Sequence, residues 1–250
     1  MAVKQIVEGV YRISLSWSNV YVLTDGNEAV LIDTGLKQDR SALLAGLQQI
    51  GIAETQVTAV LLTHAHCDHA GNVAYFTRTS GGKAKLSVHR LEAPYIVFPR
   101  QPYTPKGFGK LLRPFTSLCL AVGEYLFPVE RCSVEVLLEQ DTMVEAPGGA
   151  LRVIACPGHT PGHVAYFRER DGLLFTGDAI LTIKPHLIPA LRAFDLSLSL
   201  PLFSSNFQQA KASALHLTTL TPTSLLSGHG RPIVENTSER LAAWIKTLKT

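Results

Sequence analysis

Between Leu62 and Gly71 the chain reads L-T-H-A-H-C-D-H-A-G, directly after the apolar, strand-like run Val57 to Leu62. Four of these residues, His64, His66, Asp68 and His69, carry imidazole or carboxylate groups. This stretch limits the folds open to the chain more than any other. Polar side chains crowded at the end of an apolar strand gain nothing from packing. Sheets of the open α/β kind place such loops at the carboxyl ends of buried strands, where chemistry is done. Neutral imidazole nitrogens and carboxylate oxygens are ligands that zinc-like divalent cations prefer.

Three later stretches repeat the design, each a strand ending in a polar residue beside small ones. They are A-C-P-G-H-T-P-G-H after the strand Leu151 to Ala155, with His159 and His163; L-L-F-T-G-D-A, with Asp178; and L-L-S-G-H-G, with His229. Glycine next to the polar residue lets the backbone turn tightly and approach a ligand. With the first cluster, and counting one histidine of the His159 and His163 pair, they supply seven candidates, five of the nine histidines and two aspartates. Seven ligands suit two cations that share one carboxylate. Asp33 ends the strand Ala29 to Asp33 before Gly35, and two readings stay open for it: a cap on its own loop, or a buttress hydrogen-bonded to a ligand imidazole. Cys67 lies between ligands, and its side chain is expected to point away from them.

The 250 residues can form one domain with a sizeable core. Hydrophobic residues at 46% and charged residues at 17% exclude a disordered chain. A net charge of +3 does not argue for nucleic-acid binding. The cysteines Cys67, Cys119, Cys132 and Cys156 form no C-x-x-C pair, which fits reduced thiols. The start, M-A-V-K-Q-I-V-E-G-V, lacks the apolar core of a signal peptide, and no run reaches membrane-spanning length. The expectation is a cytoplasmic protein with no membrane insertion.

Strands are expected at Val10 to Ser14, Asn19 to Thr24, Ala29 to Asp33, Val57 to Leu62 and Lys85 to His89, with a hairpin turn at Asp25-Gly26-Asn27. Helical periodicity marks Arg40 to Ile50, a short helix Asn72 to Thr79 and a turn Leu91 to Ile96. The second half predicts strands at Glu135 to Leu138, Met143 to Ala146, Leu151 to Ala155, His163 to Phe167, Leu173 to Thr176 and Ser224 to Ser227. A helix is expected near Ser205, with Ser205 and Gln208 as a capping box, and a last one from about Ser238. Two similar halves, roughly 1–95 and 133–250, packed sheet to sheet with helices outside, predict a four-layer sandwich. Between them, prolines and glycines break every period, and residues 97–132 read as a lid or substrate-binding insertion. Tyr103, Phe108 and Phe115 are its candidate substrate contacts. Arg100, Lys106, Lys110 and Arg113, with no acid between Ala93 and Gly123, hint at a substrate with an anionic or amphiphilic part.

The order H-x-H-x-D-H, then H, then D, then H, preceded by a strand-end Asp, resembles the metallo-β-lactamase superfamily over essentially the whole chain, from Asp33 to His229. The resemblance implies an α+β fold, an αββα four-layer sandwich of two mixed sheets with outer helices, in a single domain over 1–250. It implies that His64, His66 and His159 hold one metal and that Asp68, His69 and His229 hold a second, with Asp178 bridging. Asp33 and His163 would then support the ligands from behind, and Asp68 would also serve catalysis by orienting the attacking water. His89, His186 and His216 match nothing in the pattern. The implied cofactors are two divalent ions, zinc from the N/O ligand set, with iron and manganese as alternatives.

Within the superfamily the sequence expectation is a dinuclear hydrolase that activates a shared, metal-bridging hydroxide against a small ester, thioester or lactone. Phosphodiesterase, nuclease and β-lactamase activities of the same fold, and a mononuclear iron dioxygenase, are the alternatives. Exported β-lactamases usually lack an Asp at position 178. Glyoxalase II adds a C-terminal helical domain, whereas this chain runs one helix past His229. Lactonases with this ligand set typically have a tyrosine three residues after the bridging aspartate, and here that residue is Leu181. The expected partner is a small-molecule substrate and no nucleic acid, with a homodimer left open.

Overall fold

Successive side chains on a strand face opposite sides of its sheet, and this alternation divides the apolar residues among three cores. A computed structural model describes residues 1–79, 84–98, 126–183 and 195–249. One sheet runs in chain order through β1 (Ala2–Val7), β2 (Val10–Ser14), β3 (Asn19–Thr24), β4 (Ala29–Ile32), β5 (Val57–Leu61), β6 (Lys85–His89) and β7 (Val136–Leu138). Its first four strands pair antiparallel, and β4 to β7 pair parallel. The second sheet contains β8 (Met143–Val144), β9 (Leu151–Ala155), β10 (Val164–Arg168), β11 (Leu173–Gly177) and β12 (Ser224–Ser227), in the order β12-β11-β10-β9-β8. Only its β11–β12 pair is parallel.

On β3, Tyr21 and Leu23 face the second sheet, where they meet Val164, Tyr166 and Phe175. Val20 and Val22 face outward, against a layer that includes Leu43 and Leu47 of α1 (Arg40–Gln49), Phe76 of α3 (Val73–Thr79) and Ile96 of α4 (Ala93–Val97). The second sheet turns Ile154, Ala165, Leu174 and Leu225 outward onto Ala214 and Leu217 of α5 (Phe207–Thr218) and Leu241 and Trp244 of α6 (Thr237–Lys249). Each fully buried leucine contributes about 1.5–3 kcal/mol relative to exposure. The result is the expected αββα sandwich.

Four local expectations are corrected. Ala2–Val7 is an additional strand, whose half-exposed edge position leaves no apolar alternation to read. The halves are not separated at the sheets, because β7, from beyond residue 133, pairs parallel with β6 through Ser87–Val136 and His89–Leu138 and so belongs to the first sheet. The cap of α5 is Asn206, whose Oδ1 accepts from the Gln209 N–H (3.1 Å), because the Ser205 hydroxyl is committed to the Gly158 carbonyl (2.9 Å). The histidine loop contains one helical turn, α2 (Cys67–Ala70), so Cys67 is directed by helical rather than strand geometry.

Candidate metal centre

The loops that leave β5, β9, β11 and β12 converge at one edge of the sandwich. His64, His66 and His159 bring one ring nitrogen each into a common group. His66 Nδ1 lies 3.1 Å from His64 Nε2 and 3.0 Å from His159 Nε2. Beside it, Asp68, His69 and His229 form a second group, with His229 Nε2 3.4 Å from Asp68 Oδ2 and 3.4 Å from His69 Nε2. Asp178 lies between the two. Its Oδ2 is 3.5 Å from His159 Nε2 and 3.2 Å from His229 Nε2, and its Oδ1 is 3.4 Å from His69 Nε2. All seven side chains singled out by the sequence thus share one site.

The surroundings set the tautomers. A carbonyl can only accept, so the Trp17 carbonyl takes the Nδ1–H of His229 (2.7 Å) and leaves Nε2 with a lone pair. Asp33 Oδ2 does the same for His69 Nδ1 (2.8 Å). The Thr63 hydroxyl donates to Asp33 (2.9 Å), and must therefore accept from His64 Nδ1 (3.0 Å). The Ser204 hydroxyl donates to the Leu200 carbonyl (3.2 Å), Ser199 to Ser204 (2.9 Å), and so His159 Nδ1 donates to Ser199 (2.8 Å). In their neutral forms, the ones that bind a metal, four imidazoles therefore aim Nε2 lone pairs into the site.

The Nε2 lone pairs of His64 and His159 both face His66 Nδ1, at 3.1 and 3.0 Å, and a single N–H there can serve only one of them, whereas a cation among the three serves all. A tetrahedral ion with metal–nitrogen bonds of about 2.0 Å has ligand–ligand edges of about 3.3 Å. Asp178 Oδ1 is also buried without a hydrogen-bond partner, which a carboxylate tolerates only beside a cation. The donor set fits a pair of divalent ions.

Electrostatics divides the site. Burial drives the pKa of His64 and His159 well below the ordinary histidine value, with His69 and His66 respectively adding repulsion, and burial lowers His66 as well. These rings stay neutral, as ligation requires. Burial opposes charging of His69 and His229 too, but at His69 the carboxylates of Asp68, Asp33 and Asp178 raise the pKa well above its usual value. At His229, Asp178 and Asp68 do so. Burial would raise Asp178, yet His229 and His69 hold it well below the usual carboxylate range.

Several supports had no clear signal in the sequence. Glu92, fully buried beside α4, accepts from Ala65 N–H (2.9 Å) through Oε2 and from Gly162 N–H (2.7 Å) through Oε1. One carboxylate thereby ties the loop of His64 and His66 to the loop of His159. Residues 17–19, between β2 and β3, grip the other group. Trp17 orients His229, the Ser18 hydroxyl donates to the Asp68 carbonyl, and Asn19 Nδ2 donates to the carbonyls of Ser227 and Gly230 (2.9 Å each). Their only sequence mark is a polar S-W-S-N between two strands.

His163 does not point a nitrogen among the grouped ligands. Its Nε2 accepts the Asp178 backbone N–H (3.0 Å) and its Nδ1 faces Cys156 Sγ (3.0 Å), while burial lowers its pKa to about 3. Asp33 takes the buttress role, its Oδ2 meeting His69, and its Oδ1 accepts the Thr63 N–H (2.9 Å) of the histidine loop rather than capping the loop that follows Asp33 itself. Among the described residues Cys67 joins none of the cation-capable groups, and burial raises its thiol to about 12. His89 packs at the Gly162 turn and His216 in the last turn of α5. Leu181 is buried, its backbone paired with Ser197. Tyr103, Phe108, Phe115, Cys119, His186 and most of the 97–132 segment lie outside the described residues. No helix among the described residues is long and apolar enough to cross a membrane.

Among curated proteins, the chain is 28% identical over 245 residues to the probable metallo-hydrolase YflN of Bacillus subtilis, covering 92% of this chain and 86% of that protein. It is 28% identical over 166 residues to a hydroxyacylglutathione hydrolase of Albidiferax ferrireducens, covering 65% and 48% respectively. The fold is similar to that of a metallo-beta-lactamase family protein of Thermus thermophilus, with a TM-score of 0.69 at 23% identity over 97% of this chain and 81% of that one. The family described as the metallo-beta-lactamase superfamily matches residues 17–229. The chain belongs to the metallo-beta-lactamase superfamily, and its fold and ligand clusters support a metal-dependent hydrolase activity.

Proposed function

We propose that the protein hydrolyses a small ester, thioester or lactone with two divalent ions, for which zinc suits the nitrogen and oxygen donors best. His64, His66 and His159 would hold one ion and Asp68, His69 and His229 the other, with Asp178 shared. When bound, such ions would supply Lewis acidity, lowering the pKa of an attacking water from about 15.7 toward 7 and polarising the substrate oxygen. Asp68 would orient the attacking water and accept its proton. Ser18 steadies it through the Asp68 carbonyl. His163 holds the Asp178 backbone, Asp33 and Thr63 hold His69 and His64, and Ser199 holds His159. No serine or cysteine nucleophile is required.

The observation that carries this reading is the reach of Asp178 Oδ2, 3.5 Å from His159 and 3.2 Å from His229. One oxygen touches both ligand groups, as a shared ligand must. The hydroxyacylglutathione hydrolase relative adds weight to an acyl-transfer substrate. The test is metal counting on the purified protein, with a panel of lactones, thioesters, a β-lactam and a bis-phosphodiester dye. Two ions per chain with turnover of lactone or thioester, both lost in Asp178→Ala, is the expected result. A single iron with oxygen consumption, or turnover of the phosphodiester alone, overturns it.

A further inference from the structure

The Asp178 carboxylate reaches both ligand groups, yet its Oδ1 has no hydrogen-bond partner and the neighbours of its Oδ2 are the ligands His159 and His229. Its direction is therefore set from the backbone. Asp178 follows Gly177 at the end of β11, and its N–H donates to His163 Nε2 (3.0 Å), with both residues buried. An amide can only donate, so Nε2 presents its lone pair and the hydrogen of the ring sits on Nδ1. That Nδ1 lies 3.0 Å from Cys156 Sγ.

Two features bring the three residues together. Cys156 follows β9, and its N–H donates to the His163 carbonyl (2.9 Å), so the two face each other one step beyond the Ala155–Val164 pair of the β9–β10 ladder. Opposed residues of an antiparallel pair carry their side chains on one face of the sheet. Gly177 adopts φ +49°, and a Cβ atom there would stand 2.7 Å from His163 Nε2. Glycine alone leaves the imidazole room to close on the next amide.

Sulfur is a weak acceptor, but it is the partner the fold gives this buried Nδ1–H. The tautomer of a histidine is set by the bond its other nitrogen makes. A ring with its hydrogen on Nε2 would meet the Asp178 N–H hydrogen to hydrogen. Without the sulfur, Nδ1–H is buried with no acceptor, which favours that other tautomer or a rotated ring. Neither holds Asp178 in place.

We infer that Cys156 is a positioning residue: its sulfur accepts the His163 Nδ1–H and so fixes the tautomer that holds the Asp178 amide, and with it the carboxylate the two ligand groups share. The sulfur contact stands by itself, whereas its consequence for metal rests on the two-ion reading above. The thiol neither ionises nor reacts in this role.

The test uses zinc-loaded protein with nitrogen-15-labelled histidine and two variants, Cys156→Ser and Cys156→Ala. Both side chains are smaller than cysteine, so a packing role would suffer in both. An acceptor role spares serine. Long-range nitrogen–proton spectra report the His163 tautomer, and hydrogen exchange reports the Asp178 amide. Wild type and Cys156→Ser are expected to carry the hydrogen on Nδ1. In Cys156→Ala that pattern is expected to be lost, with the amide exchanging about fivefold faster, the size of a lost hydrogen bond. Chelator competition is expected to show zinc held at least about tenfold more weakly in Cys156→Ala, as for residues that support a ligand, and close to wild type in Cys156→Ser. A wild-type hydrogen on Nε2, or equal zinc loss in both variants, overturns the inference. So does a Cys156→Ala protein that keeps the wild-type tautomer and zinc affinity. The wild-type spectrum decides if Cys156→Ala does not fold. If the wild type takes up no zinc, the two-ion reading fails, and the tautomer and amide exchange alone decide the role of Cys156.

Discussion

Asp33 Oδ2 lies 2.8 Å from His69 Nδ1, and the same carboxylate receives the Thr63 backbone and hydroxyl. The aspartate has φ +62°, a left-handed conformation that Asp and Asn tolerate better than other side chains. Asp33→Asn therefore keeps the backbone while removing the negative charge behind His69. Metal affinity at the Asp68, His69 and His229 group is expected to drop about 10–100-fold. Chelator competition should show one ion held nearly as in the wild type and the other released readily. Equal retention of both would show that Asp33 supports only the loop.

Glu92 ties two ligand loops with two oxygens. In Glu92→Gln one of the N–H groups of Ala65 and Gly162 faces an amide NH₂ instead of an acceptor, a loss of about 1–3 kcal/mol. For a chain of this size that lowers Tm by about 2–4 °C per kcal/mol. Thermal melts of metal-free protein check the value, and an unchanged melt would mean the clamp contributes nothing.

A methyl group at Gly228 would stand 2.7 Å from both Asp178 Oδ1 and His69 Cε1. Neither can retreat without leaving its place in the site. Gly228→Ala is expected to lower bound metal below two ions per chain while the far-ultraviolet circular dichroism stays that of the wild type. Full metal content in the alanine variant would show that the site yields to the methyl group.

Metal-free protein should be most stable near pH 6.5, the unfolded histidine value. His64, His66, His159 and His163 have folded pKa values below it, so the unfolded chain binds more protons as the pH falls and stability is lost on the acid side. His69 and His229 have folded values above it, so the stability they contribute is complete below 6.5 and lost as the pH rises through their folded pKa. Bound metal requires His69 and His229 to be neutral, which removes the alkaline loss. Urea midpoints with and without chelator from pH 5 to 9 should show a peaked curve and one without the alkaline decline. A chelated protein whose stability rises steadily with pH contradicts these shifts.

The candidate ligands were legible because they gather just past the ends of apolar strands beside small residues, a pattern that packing does not produce. Most strand limits were legible for the same reason, period-two alternation bounded by turns. Glu92 was not. A single acid in a helical turn reads as solvated, and its partners Ala65 and Gly162 are 27 and 70 positions away. Asn19 acts on residues more than two hundred positions distant. Such roles exist only once the two sheets have docked. β1 escaped notice because an edge strand needs no apolar face, and the cap of α5 because Ser205 turns to Gly158 instead.

His229 is aimed by a main-chain oxygen of Trp17, not by its indole. The indole is 55% exposed and, among the described residues, stacks only on Phe127, with ring centroids 5.5 Å apart. Position 17 is therefore free to change its side chain without disturbing the imidazole it holds. Selection can reshape the rim above the ions there, exchanging bulk or polarity for a new acyl group, while the cation seat beneath is inherited unaltered.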